Sequence, residues 1–266
     1  MRLRYYLRNY LEFVKLNVQT WAEYRLDFII GIVAIFLTNV TAIVFYWVVF
    51  QHIPTLNGWS LNQLLFIFGF VALTGGIWHV FLTGCSPWSM DRLVRRGELD
   101  RYLLRPMNTL TLLIMRNIDE DGFGDIAAGA MLLIYSSSKL GLIWTPQMIL
   151  AFAALMGGAV LVMFSILLFL SSIAFWVTTV RSLMDMFWNA VKLAEYPLDI
   201  YSTMVVWILT YIFPIGFIGF YPAQFFFQNS EWMAFAYATP LAGLALFAVA
   251  YTSWRYGLKN YTSTGH

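Results

Sequence analysis

Phe28-Ile-Ile-Gly-Ile-Val-Ala-Ile-Phe-Leu-Thr-Asn-Val-Thr-Ala-Ile-Val-Phe-Tyr-Trp-Val-Val-Phe50 runs for twenty-three residues without one charged side chain. A helix crosses the hydrocarbon of a bilayer with roughly 20 such residues, so this stretch reads as a membrane span. Composition says the same of the whole chain. Of 266 residues, 60% are hydrophobic, 18% aromatic and only 11% charged, with a mean hydropathy of +0.69. Soluble domains average about 45–50% apolar and about 25% charged residues. A bilayer must be the solvent for most of this sequence.

Five more apolar segments follow the first: 61–82, a short one at 122–138, a long one opened by Thr145-Pro146 and reaching 180, one from Thr203 with Pro214 inside it, and 232–254. Between the last two lies Gly219-Phe-Tyr-Pro-Ala-Gln-Phe-Phe-Phe-Gln-Asn-Ser230. It is apolar but too short to cross, and Pro222 interrupts it, so it reads as a re-entrant or interfacial excursion. The expected fold is an all-α membrane protein of six transmembrane helices with a re-entrant segment between spans five and six.

Residues 1–27 precede that six-span domain of 28–266, and they are too polar for a cleavable signal. Leu3, Leu7, Tyr10, Val14, Val18 and Trp21 recur at steps of three and four, while Arg4, Arg8, Glu12, Lys15, Gln19 and Glu23 fall mostly on the other side. Such an amphipathic helix suits the membrane interface. An ordinary helix packed against the spans would carry the same stripe.

Lys and Arg set membrane topology, because positive loops stay in the cytoplasm. Six spans place the N-terminus, the 83–121 loop, the 181–202 connection and the C-terminus on one side. That side then holds fifteen of the sixteen basic residues and leaves only Lys139 across the membrane. Both termini are expected in the cytoplasm, in a plasma or inner membrane.

No Asp, Glu, Lys or Arg is read as lying well inside a span. Coupled transporters and pumps place such groups there deliberately, and the nearest candidate relay, His79, fits a packed interfacial residue better. Asp119, Glu120, Asp121 and Asp125 cluster before the third span, where acids favour the positive end of a helix; their function stays open. No G-x-x-x-x-G-K-[ST], H-E-x-x-H or G-x-S-x-G motif occurs, so neither nucleotide hydrolysis nor these kinds of hydrolase chemistry is expected of this chain. The single cysteine, Cys85, excludes an internal disulfide.

The exception to this low charge is Asp91-Arg-Leu-Val-Arg-Arg-Gly-Glu-Leu-Asp-Arg-Tyr-Leu-Leu-Arg105, where charges crowd between two apolar runs. It must stand in water, and it reads as a docking surface for a soluble partner.

Several of these features together resemble the ABC-2 type transporter permeases. The resemblance rests on Glu23-Tyr-Arg-Leu-Asp-Phe28, Gly58-Trp59-Ser60, Arg96-Gly-Glu-Leu-Asp-Arg-Tyr-Leu-Leu-Arg-Pro106, Glu195-Tyr-Pro-Leu-Asp-Ile-Tyr201, Phe220-Tyr-Pro-Ala223 and Arg255-Tyr-Gly-Leu-Lys-Asn-Tyr-Thr-Ser263. It implies an exporter subunit, not an enzyme, of the branch whose ATPase is encoded separately. A second permease, identical or related, would complete the translocation path within the lipids, and nucleic acid has no part in it. ATP and Mg would be held by the partner ATPase, with no cofactor in this chain. The resemblance assigns docking of that ATPase to Gly97, Glu98, Leu99, Asp100, Tyr102, Leu103, Leu104, Arg105 and Pro106. Leu99, Tyr102 and Leu103 would enter a groove, while Glu98, Asp100 and Arg105 pair charges. An assembly that transmits force or a signal without moving a solute would need the same docking loop. Spans without buried charge favour a hydrophobic or amphipathic cargo over a free ion.

Overall fold

The computed structural model describes residues 2–177 and 179–262, with side chains from Arg4 onward. Met1, and Ser263 of the C-terminal motif, therefore lie outside the described residues, as do the side chains of Arg2 and of Leu3, the first residue of the N-terminal stripe. The described chain is helical, with no strand. Helix α1 (Arg2–Glu23) leads into α2 (Arg25–His52), α3 (Leu61–Leu82), α4 (Pro87–Arg95), α5 (Asp100–Leu103) and α6 (Thr109–Arg116). Then come α7 (Gly122–Lys139), α8 (Pro146–Ser172), α9 (Arg181–Ala194), α10 (Thr203–Trp207), α11 (Phe220–Phe227) and α12 (Met233–Asn260).

Local chemistry sets the helix starts. Ser60 and Gln63 form a reciprocal capping box at α3. Ser86-Pro87 and Thr145-Pro146 cap α4 and α8, each with a side-chain acceptor followed by a proline at the first helical position. These devices satisfy amide groups that the first helical turn leaves without partners.

Among the described residues, four helices are long and apolar enough to cross a membrane: Arg25–His52, Leu61–Arg95 (α3 continuing through a short 3-10 turn into α4), Pro146–Phe175 and Met233–Asn260. The other two expected spans are built differently. Helix α7 has 18 residues, with Asp125 in its first turn and Lys139 in its last, and spans roughly 27 Å at 1.5 Å per residue. Beyond Thr203, only α10 and a π-type turn at Ile208–Ile212 precede Pro214.

Helices approach closely where glycine removes the side chain, the packing that apolar helices use when no hydrophobic force separates them from their solvent. A Cβ on Gly129 of α7 would lie 2.5 Å from the Leu73 amide nitrogen of α3. A Cβ on Gly158 of α8 would lie 2.8 Å from the Pro240 Cα of α12. These two pairings, α3 with α7 and α8 with α12, frame the bundle.

The bundle has two distinguishable ends. At one, Trp59 packs on Phe227, and Trp144 packs on Phe226. At the other, the Ser171 hydroxyl donates to the Cys85 carbonyl at 2.6 Å, and Asn108 reaches Tyr6 and Tyr251. The N-terminal helix, the 83–121 segment and the end of α12 therefore share one end.

The 181–202 segment does not stay with them. The Val180 amide donates to Asp91 at 3.1 Å, yet the Trp59 indole donates to Asp199 at 2.9 and 3.0 Å. The expected one-sided connection instead runs the length of the bundle. Lys192 accordingly leaves the group of basic residues assigned to one side. The physical reason is amphipathicity: Met184, Phe187, Val191 and Ala194 form a buried stripe on α9, and the polar residues between them kept its mean hydropathy below that of a span.

From Asp199 the chain turns back into the bundle. Thr74 in the middle of α3 donates to the Ile218 carbonyl at 3.2 Å, and Phe220 and Phe227 return to the ring of Trp59. Pro214 sits at the bottom of this excursion, where its missing N–H and fixed φ end the π-type turn.

Candidate functional site

The charged segment after α3 is folded onto the bundle, not suspended from it. Gly97, at φ +64°, reverses the chain between α4 and α5 in the left-handed region that favours glycine. The Leu99 amide then donates to the Leu93 carbonyl at 3.2 Å, and the Leu99 side chain is fully buried. Leu99 thus faces inward and cannot enter a partner's groove as the resemblance implied.

Tyr102 is half-buried; its hydroxyl accepts from Arg116 Nη1 at 3.0 Å, and the same guanidinium lies 5.3 Å from its ring centre. Asp100 sits beside Tyr261, whose hydroxyl is pushed up to about 12 by burial and by that carboxylate. Glu98 lies 4.0 Å from Arg96 on the surface, a pairing worth little by itself. What faces outward is the tip: Leu103, Leu104, Arg105 and Pro106 are exposed, with Leu104 at 86%. An isolated leucine that bare is unremarkable. Here four successive exposed residues stand on a pinned turn.

A buried carboxylate joins this segment to the bundle-length helix. Asp91 of α4 is 6% exposed. It accepts from the Val180 amide, just before α9, and from Arg95 at 2.7 Å. The exposed tip, α4 and α9 are therefore linked through Leu99–Leu93 and Asp91–Val180.

On its other face, α9 leaves Arg181, Ser182, Asp185, Asn189 and Lys192 exposed. Steps of three and four put these polar groups on one stripe. Sequence reasoning missed this face, although the apolar repeat at 184, 187, 191 and 194 was legible.

The acidic run is distributed among partners. Asp119 lies 3.5 Å from His79, Glu120 accepts from the Trp21 indole at 2.8 Å, and Asp121 abuts Gly31. Burial and the neighbouring Asp119 raise the Asp121 carboxyl. Each acid fixes the start of α7 to a different neighbour. Asp125 goes further: it accepts from Asn39 at 2.7 Å, and Asn39 is 8% exposed in the middle of α2. Glu195, at the end of α9, accepts from Tyr46 of α2 at 3.4 Å. Carboxylates therefore do stand within the bundle, against the reading that its spans hold none. The amide of Asn39, alone in a charge-free stretch, was the available signal. Among the described residues, no three His, Cys, Asp or Glu side chains converge as a metal site.

A family model described as ABC-2 family transporter protein matches residues 36–265. No curated protein and no solved structure matches the chain.

Proposed function

This chain belongs to the ABC-2 transporter family, and from that premise we propose that it is the permease of an ATP-driven exporter whose path runs along the polar face of α9. Its family makes it a multi-pass membrane protein that works with an ABC ATPase. The ATPase hydrolyses ATP on its own subunit and docks on the tip at Leu103, Leu104, Arg105 and Pro106. Gly97, Glu98, Leu99, Asp100 and Tyr102 hold that tip in place. The end carrying α1, the 83–121 segment and the end of α12 is cytoplasmic, because it gathers most of the basic residues.

In this reading, six crossings are α2, α3, α7, α8, α9 with its continuation to Tyr201, and α12. The 203–227 stretch is a re-entrant hairpin that enters and leaves from the Trp59 side. Helix α1 lies in the cytoplasmic interface, with Leu7 and Val18 of its apolar stripe exposed toward lipid.

The observation that carries the proposal is the polar stripe of α9. An ionised side chain facing lipid at mid-bilayer costs about 2.5–3.5 kcal/mol on the insertion scale. Asp185 and Lys192 are exposed on a helix that runs from one end of the bundle to the other. That face must therefore meet water or another protein, and a second permease, identical or related, encloses it. Movement of the ATPase reaches it through Leu99, Asp91 and Val180, a contiguous chain of packed and hydrogen-bonded groups.

Cysteines substituted at Asp185, Asn189 and Lys192 of the full chain, assembled with its ATPase, test the path. They should react with a water-soluble thiol reagent, and ATP should change their rates. Absence of reaction at all three sites would put α9 against lipid or a dry interface, and the path elsewhere.

A further inference from the structure

We propose that a cavity between α2, α3, α7 and α9 receives the positively charged group of the cargo, a protonated amine or a quaternary ammonium. This rests on the permease reading and adds a substrate class to it. The cavity measures about 280 Å³ and brings together Asn39, Asp125, Lys192 and Glu195 with the rings of Phe68 and Trp188. Two carboxyl groups face one ammonium in this lining, and an entering cation would favour the ionised form of both.

Neither carboxylate has a cation within ion-pair distance among the described residues. Asp125 is bonded by the Asn39 amide and Glu195 by the Tyr46 hydroxyl. Neutral donors hold these acids in place and supply no counter-charge. A buried charge left in that condition is costly, and intramembrane acids mark the routes of ions and substrates.

The aromatic walls suit the same ligand. Trp188 is fixed edge-to-face by Trp78, with ring centres 5.9 Å apart, and an indole face attracts an organic cation. Gly75 supplies the room: a Cβ there would meet nothing within 4 Å. Pockets for whole drug-sized ligands run from about 300 to 1,000 Å³, so this one holds a cationic head while an apolar remainder lies outside it. The amphipathic cargo expected from the sequence thus acquires a charge sign.

The test uses the full chain with its ATPase in lipid nanodiscs, and two probes of one shape: benzyltrimethylammonium and its neutral isostere neopentylbenzene. The cation should bind, while the isostere should bind far more weakly. Asp125→Asn and Glu195→Gln keep the acceptors for Asn39 and Tyr46, and each should weaken cation binding by about tenfold. Lys192→Gln should strengthen it. Gly75→Leu, which keeps every charge and fills the space, should abolish it. Equal binding of the two probes, or wild-type cation affinity in both carboxylate variants, overturns the proposal. ATPase retention is scored on the same preparations. Retained ATPase without cation binding sinks this site alone, whereas cation binding without ATPase association supports the site and sinks the permease reading.

Discussion

The indole of Trp59 donates to both carboxylate oxygens of Asp199, at 2.9 and 3.0 Å. This contact ties the loop before α3 to the chain beyond α9, 140 residues later. With Val180 bonded to Asp91 at the opposite end, it requires the intervening helix to traverse the bundle.

Sidedness checks that geometry directly. In a Cys85→Ala background, cysteines at Asn57 and Ser202 should react with an impermeant maleimide from one face of the membrane. Cysteines at Arg96 and Arg105 should react only from the other. All four positions are exposed. If Ser202 labels together with Arg96, α9 does not cross.

The segment from Gly97 to Pro106 divides into an exposed tip and a buried support, and under the proposed docking the two should fail differently. Leu104→Asp should leave folding intact and strip the ATPase during purification. Leu99→Ala should cost about 2–5 kcal/mol, as truncations of buried leucines do, and should lower thermal stability before any partner is added. Equal melting temperatures for Leu99→Ala and wild type would contradict the inward placement of Leu99.

Asp91→Ala removes the acceptor of the Val180 amide and leaves a buried donor unpaired, at about 1–3 kcal/mol. The ATPase should still co-purify, because the tip is untouched. ATP-dependent changes in labelling along α9 should be lost. Normal ATP-dependent labelling in this variant would mean that coupling takes another route.

Adjacent glycines offer a sharper contrast. A Cβ on Gly76 would come within 2.7 Å of the Ile126 amide nitrogen, whereas one on Gly75 would meet nothing. Gly75→Ala should therefore be neutral or raise stability by up to about 1 kcal/mol through helix propensity. Gly76→Ala should destabilise the α3–α7 contact, read as a lower melting temperature. Similar melting of the two variants would refute the close approach.

Much of the bundle was legible because four long apolar helices are each recognisable alone. The stretch from Phe28 to Phe50 needs no neighbour to be read as a span, nor did the family resemblance need coordinates. The division between exposed tip and buried support was not legible. Leu99, Leu103 and Leu104 are the same residue type, and only folding back against Leu93 distinguishes the first from the others.

Helix α9 failed the sequence reading for a different cause. Mean hydropathy detects helices surrounded by lipid, and a helix that shows one face to water or a partner dilutes that signal with polar residues. Its apolar repeat was present, but a repeat does not state where its ends lie.

The sequence by itself determined the solvent of this protein, its helical class, its family and the end at which most positive charge gathers. These follow from composition and local order, which each segment carries along its own length. Only the tertiary structure decided that α9 runs end to end, that Asp91 binds its start, and that Asp125 and Glu195 share a cavity with Lys192. Those facts depend on side chains separated by dozens of residues meeting across packed helices, and no local pattern encodes such a meeting.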